Sequence, residues 1–423
     1  MTTRSLSAPG APTATTARTP PPGTAAAPET SSETPEAITP GAATALLHAY
    51  LPSRDRFLAT PTRTLLGHGT AAELPHGTGP LADRVRELLD GRRDQGTAPP
   101  VVMGALPFAP DAPPALAVPA TVRWAPPLRQ DPLVALPVPE AADAAGWRVR
   151  EVPEPQVYGA AVASAVARMR AGEFDKVVLA RTLELTAPHA PDLATMLRRL
   201  AHRDPAGYTF ALPSGPGRTL IGASPELLVA RRGPALTANP LAGSAPRSTD
   251  LAEDVRRAAA LLASPKDLHE HAVVVAAVRE ALAPFCTRLD VPERPTLIRT
   301  AAMWHLSTTV AGELADPAAT TALHLAAALH PTPAVCGTPT EVARTVIGES
   351  EPFDRGAYTG MVGWQDADGD GEWVVTIRCA EAEGPLLRLF AGAGVVAGSS
   401  PEAETAETGA KFRTFLNAVG AAL

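Results

Sequence analysis

The chain has 423 residues, 45% of them hydrophobic, and a formal net charge of −7. That acidic balance, without any basic run, argues against a nucleic-acid partner, and no apolar stretch approaches the roughly 18 residues of a bilayer span. Cys286, Cys336 and Cys379 are far apart and lack CxxC spacing, so neither a disulfide framework nor a zinc site is indicated, and a reduced, cytoplasmic protein is expected.

Residues 1–40 consist mostly of Ala, Pro, Thr, Ser and Gly, too little apolar surface to offset ordering entropy, and are expected to form a disordered tail. The segment lacks the apolar core and amphipathic arginine spacing of a targeting peptide. A helical pattern begins at "GAATALLHAYL" (41–51), and no later linker or repeat divides the chain, so 41–423 is expected to be one domain. Residues 106–142, rich in Pro and Ala, read as edge strands joined by rigid turns.

Tyr158, Val162, Val166 and Met169 recur at helical intervals in 157–172, which Gly172 closes. "DKVVLARTLEL" then alternates as a strand, with Lys176, Val178 and Ala180 on one face. "IGASPELLVA" (221–230) reads as an apolar strand interrupted by Glu226. In "SPKDLHEHAVVVAAVREAL" (264–282), Ser264 at the N-cap, Pro265 at N1 and Asp267 at N3 mark a helix start. Residues 372–394 read as a hairpin turning at Glu383-Gly384-Pro385, with Val374, Thr376 and Arg378 on one face of its first strand. "PEAETAETGAKFRTFLNAV" (401–419) is a helix. Strands and helices alternate without a regular βαβ period, which predicts an α+β fold.

Several of these segments hold groups capable of chemistry. The chain has 34 arginines but three lysines, Lys176, Lys266 and Lys411. Lysine, unlike arginine, can give up its proton and act as a base, so a retained lysine hints at a position where arginine cannot serve. Glu404, Glu407 and Lys411 fall on one helical stripe, able to coordinate a hard cation and meet an anion; a salt-bridged surface is the plain alternative. Glu270 lies four residues after Lys266, and an ordinary i,i+4 ion pair would explain it equally. Glu226 among apolar neighbours suits a general acid, or an outward-facing strand residue. The loop "NPLAGSAPR" (239–247) and the glycine-rich stretch "FAGAGVVAGSS" (390–400), which follows a strand, let backbone approach a ligand closely. "DADGDGEW" (366–373) imitates an EF-hand start, but its twelfth position is Ile377, so it is a turn.

The ordered set "FDKVVLAR", "GASPELL", "NPLAGS", "SPKDLHEH", "MWHLSTTV", "HPTPAVCG", "EPFDRGAYTGMVGW", "GEWVVTIRCA", "LFAGAGVV" and "ETAETGAK" resembles the chorismate-utilising enzyme family, densely over 170–415. The resemblance implies two large antiparallel sheets in a β-sandwich surrounded by helices, with the active site in a cleft. It implies Mg2+ held by Glu270 and Glu407, with Glu404 close by, bridging to the ring carboxylate of chorismate. Arg378 matches the clamp for the second carboxylate. Lys411 and the backbone around Gly243, Ser244, Gly392 and Gly394 complete the anion cradle. Lys176 matches the base that activates water for attack at C2, Glu226 the acid that protonates the departing C4 hydroxyl, and His305 a supporting group near the ring. No amidotransferase partner is expected, and the matching branch suggests a monomer.

Within the family the wording is most similar to siderophore-type isochorismate synthases. Salicylate synthases, the alternative, go on to eliminate pyruvate and carry threonine where this chain has Ala334. Tyr358 stands where several isochorismate-forming members have phenylalanine. A non-catalytic chorismate-binding protein would have lost the base, the acid or a metal ligand, and this chain keeps them.

Overall fold

Pro225 has no N–H for a strand ladder, and at that point the run "IGASPELLVA" changes sheet. Arg218–Ser224 lies in a ten-stranded sheet and Leu227–Arg232 in a nine-stranded one in this computed structural model, which describes residues 41–75, 77–95, 99–138 and 146–419. The expected disordered tail, 1–40, lies outside the described residues.

The first strand expected in the 372–394 hairpin breaks in the same way. Gly371–Val375 belongs to the nine-stranded sheet and Cys379–Glu383 to the ten-stranded sheet. Val374, Thr376 and Arg378 therefore do not share a strand face, contrary to the alternation of the sequence. Thr376–Arg378 is the link between sheets, and Arg378 takes a left-handed φ of 51°, a conformation that non-glycine residues hold only when their surroundings enforce it. The hairpin turn itself is where expected, with Glu383 paired to Leu386.

The two crossings run side by side. Gly222 pairs with Cys379 before the change of sheet and Leu227 with Val374 after it. Between these points Ala223 N donates to Arg378 O at 3.1 Å, Val375 N to Glu226 O at 3.1 Å, and Ser224 Oγ to Val375 O at 2.7 Å. Each crossing thus supplies partners for the backbone groups that the other leaves unpaired.

Every strand pairing among the described residues is antiparallel. The two large sheets share a buried core that includes Leu58, Phe210 and Leu220 from one and Met103, Trp364 and Val374 from the other. This is sandwich packing. Helices cover the outer faces: Ala42–Ala49, Leu193–Arg203 and Pro401–Val419 on the ten-stranded sheet, Leu81–Asp90, Pro265–Leu282 and Ala322–Leu329 on the other. A third, three-stranded sheet of Leu241–Pro246, Met303–Ser307 and Thr296–Arg299 adds to the two expected.

Helix Pro155–Arg170 buries Tyr158, Val162, Val166 and Met169 as the periodicity predicts. Ser264 caps Pro265–Leu282 by accepting from Asp267 N. "DADGDGEW" is a hairpin turn in which Asp366 Oδ1 accepts from the amides of Asp368 and Asp370. Among the described residues no helix is long and apolar enough to cross a membrane.

One buried ion pair ties the sandwich to the wall of its main cleft. The Arg355 guanidinium meets Glu351 at 2.5 Å, each side chain 3% exposed, and donates to the carbonyls of Val178 and Val335. Glu351 in turn accepts from Ala180 N at 2.8 Å. Arg355→Met should cost about 3–5 kcal/mol, because it strands a buried carboxylate; denaturant unfolding of the variant against wild type measures this.

Candidate active site

The paired crossings deliver two charged side chains, Glu226 and Arg378, to one cavity. Strand Leu386–Val396 adds Gly392 and Gly394, which pair with Ala180 and Val178 of strand Lys176–Thr186. The small sheet contributes Gly243, Ser244 and His305, with Ser244 directly opposite His305. Helix Pro265–Leu282 turns Lys266, Asp267 and Glu270 inward, and helix Pro401–Val419 turns Glu407 and Lys411 inward. Ala334, Tyr358 and Thr359 close the wall. Of the residues singled out in the sequence, Lys176 and Glu404 stand just behind this lining, 2% and 1% exposed.

All three lysines of the chain meet a glutamate here. Lys176 Nζ donates to Glu270 Oε1 at 2.8 Å, Lys411 lies 2.6 Å from Glu407 Oε1, and Lys266 lies 3.4 Å from Glu404 Oε1. The i,i+4 pair between Lys266 and Glu270, the plain alternative for that helix, is not formed, because both side chains reach other elements. The glycines are there to make room. A Cβ on Gly394 would sit 2.6 Å from Glu270 Oε1, and one on Gly392 would sit 2.8 Å from the Tyr358 hydroxyl. Tyr358 is itself fixed by stacking on Phe390, ring centroids 5.0 Å apart at 11°.

Electrostatics separates the roles of the acids. Burial pushes the Glu226 carboxyl up to about 7, against the pull of the Leu241 amide and of Arg378, Lys176 and Lys411. Burial also raises Glu404, and the charge of Glu407 adds to that effect. Glu407 is held below its ordinary value: burial opposes its charge, but Lys411, Lys266 and Arg378 outweigh it. His305 is driven well below the usual imidazole range by burial, then by Arg378 and Lys411, so it stays neutral. Its buried Nε2 has no hydrogen-bond partner. The Arg378 guanidinium lines the cavity with no protein hydrogen bond or ion pair of its own among the described residues. A partly buried guanidinium in that state is a ready receptor for a ligand carboxylate.

Among the described residues no three acidic, histidine or cysteine side chains are gathered closely enough to hold a metal ion. Each carboxylate is drawn instead to its own lysine. The donor chemistry still suits a hard cation: Mg2+ needs only one or two carboxylates when substrate oxygens and water complete its shell, and Gly394 leaves space against Glu270 Oε1.

The sequence did not point to Phe390, Thr359 or Asp267 as cavity residues. Lys266 was visible as one of three lysines, but its neighbour Glu270 offered a local partner that hid its longer reach.

A raised carboxyl favours the folded state at low pH. The contribution of Glu226 is fully present below its unfolded value of about 4.3 and is lost as pH rises through about 7. Relative to wild type, Glu226→Gln should therefore gain about 2–3 kcal/mol of stability between pH 5 and pH 8, measured by urea unfolding at both values.

Residues 135–420 match the family model described as chorismate binding enzyme. The chain is 52% identical over 396 residues to the isochorismate synthase DhbC of Bacillus subtilis (strain 168), covering 90% of this chain and 98% of that protein. It is 42% identical over 377 residues to the vibriobactin-specific isochorismate synthase of Vibrio cholerae, covering 89% and 94%. The crystal structure of DhbC from Bacillus anthracis matches with a TM-score of 0.84 and 47% identity, covering 90% of this chain and 100% of that one. With a family model spanning most of its length and relatives this similar end to end, the chain belongs to the chorismate-binding enzyme family.

Proposed function

We propose that the protein is an isochorismate synthase: a single catalytic domain, 41–423, isomerises chorismate to isochorismate with Mg2+ and feeds siderophore biosynthesis. The observation that carries this reading is the pairing, around one cavity, of a carboxyl that keeps its proton near neutrality, Glu226, with a buried lysine, Lys176. Similarity to relatives that are themselves isochorismate synthases supports the choice of reaction, and the vibriobactin-specific relative supports the pathway.

In this reading Arg378 binds one substrate carboxylate through its otherwise unpaired guanidinium, and Lys411 with the backbone at Gly243, Ser244, Gly392 and Gly394 frames the anion. Glu270 and Glu407, with Glu404 near, would hold Mg2+, which supplies positive charge for the ring carboxylate when bound. Lys176 accepts a proton from water as its oxygen bonds to C2. The ring double bonds shift, and the C4–O bond breaks. Glu226 gives its proton to the leaving hydroxyl, which departs as water. One water enters and one leaves, so the product is an isomer. Neutral His305 can hydrogen-bond the ring substituents through Nε2.

Ala334 in the wall favours release of isochorismate over the further pyruvate loss of a salicylate synthase. Tyr358, held against Phe390 with its hydroxyl towards Gly392, is the one wall residue that favours the second reading. We also propose that the enzyme works in the cytoplasm as a monomer without an amidotransferase partner, on the composition and wording of the sequence.

Lys176→Arg keeps the charge and the reach to Glu270 but removes a base. Turnover of chorismate should fall at least about 100-fold, while chorismate affinity, read by calorimetry, stays within a few-fold of wild type. Near-normal turnover would remove Lys176 from the base role.

A further inference from the structure

Lysine is scarce in this chain, and the reaction accounts for two of its three copies. Lys176 is the base and Lys411 frames the anion. Lys266 has no assigned task, yet it lines the same cavity. As the second residue of helix Pro265–Leu282 it has Glu270 at i+4, but its ammonium crosses to Glu404 on helix Pro401–Val419. The two partners differ in freedom. The Lys266 side chain is 46% exposed, whereas that of Glu404 is 2% exposed. Glu404 also sits within the field of the Glu407 carboxylate. A buried acid beside another acid needs a positive neighbour, and Lys266 is the only one that the structure pairs with it among the described residues.

We propose that Lys266 is a displaceable counter-ion: it holds Glu404 when no metal is bound and yields that carboxylate when a divalent cation enters, so that lysine and cation compete for it. This rests on reading Glu270, Glu404 and Glu407 as the metal-site acids. The three lysine–glutamate pairs make the metal-free group neutral, so these three carboxylates do not repel a dianionic substrate. Lysine suits the task because its ammonium is a compact charge on a flexible stem. The 3.4 Å separation, longer than those at Lys176 and Lys411, marks this pair as the loosest of the three.

The test is calorimetric titration of MgCl2 into substrate-free protein, with Lys266→Met, Lys266→Arg, Glu404→Gln and the Lys266→Met/Glu404→Gln double variant. Lys266→Met should tighten Mg2+ binding about fivefold to tenfold, and Lys266→Arg should stay near wild type. The tightening should vanish in the Glu404→Gln background if the effect runs through that carboxylate. Unchanged or weaker Mg2+ binding by Lys266→Met overturns the proposal, as does equal tightening with Glu404→Gln present. If wild type and variants all fail to bind Mg2+, with chorismate as well as without it, the metal-site reading falls and takes this inference with it.

Discussion

A buried peptide group has to find a hydrogen-bond partner, and a strand that leaves one sheet for another breaks its ladder at the point of departure. Here two neighbouring strands leave together. Ala223 N finds Arg378 O, Val375 N finds Glu226 O, and Ser224 Oγ covers Val375 O. The joint crossing is what allows irregular backbone in the middle of a sandwich. It also fixes what the irregular backbone carries: Glu226 at one crossing and Arg378, at φ 51°, at the other. The proposed acid and the proposed carboxylate clamp are thus set by a single local arrangement, and neither can move without disturbing both sheets.

Charge is the second constraint. The cavity is lined or backed by Glu226, Glu270, Glu404 and Glu407 against Lys176, Lys266, Lys411 and Arg378. Lysines neutralise three of the glutamates, and burial keeps the fourth protonated near neutrality. That leaves two charges of the lining without an ion-pair partner among the described residues, Asp267 and Arg378, and Arg378 is the positive one, where the proposed anionic substrate would be drawn. All three lysines of the chain belong to this arrangement. Arginine serves at the other 34 basic positions, and in the proposed mechanism Lys176 must shed its proton before it can take one from water, which arginine cannot do.

Local features of the sequence carried much of the fold. The Ser264 cap, the apolar spacing of Tyr158 to Met169, and the Asp366 turn each depend on residues within a few positions of one another, and each formed as expected. The sheet crossings did not show in the same way. No proline or glycine interrupts 372–383, and which sheet a strand joins depends on partners remote in sequence. Pro225 was the signal at one crossing; Thr376–Arg378 holds no proline or glycine to mark the other. The small third sheet was missed because its strands are short and, at "NPLAGS", made of residues that read equally as a loop. The site was recognisable through ten motifs in order, which name its residues but not their pairing. Lys266 shows the difference, since its true partner lies 138 positions away.

The central claim is that this cavity isomerises chorismate under a metal requirement. Incubating the purified protein with chorismate and Mg2+, with and without EDTA, and following products by proton NMR tests it most directly. The account predicts isochorismate rising to equilibrium with chorismate, and no conversion when EDTA is present. Salicylate with pyruvate, conversion indifferent to EDTA, or no conversion at all would contradict it.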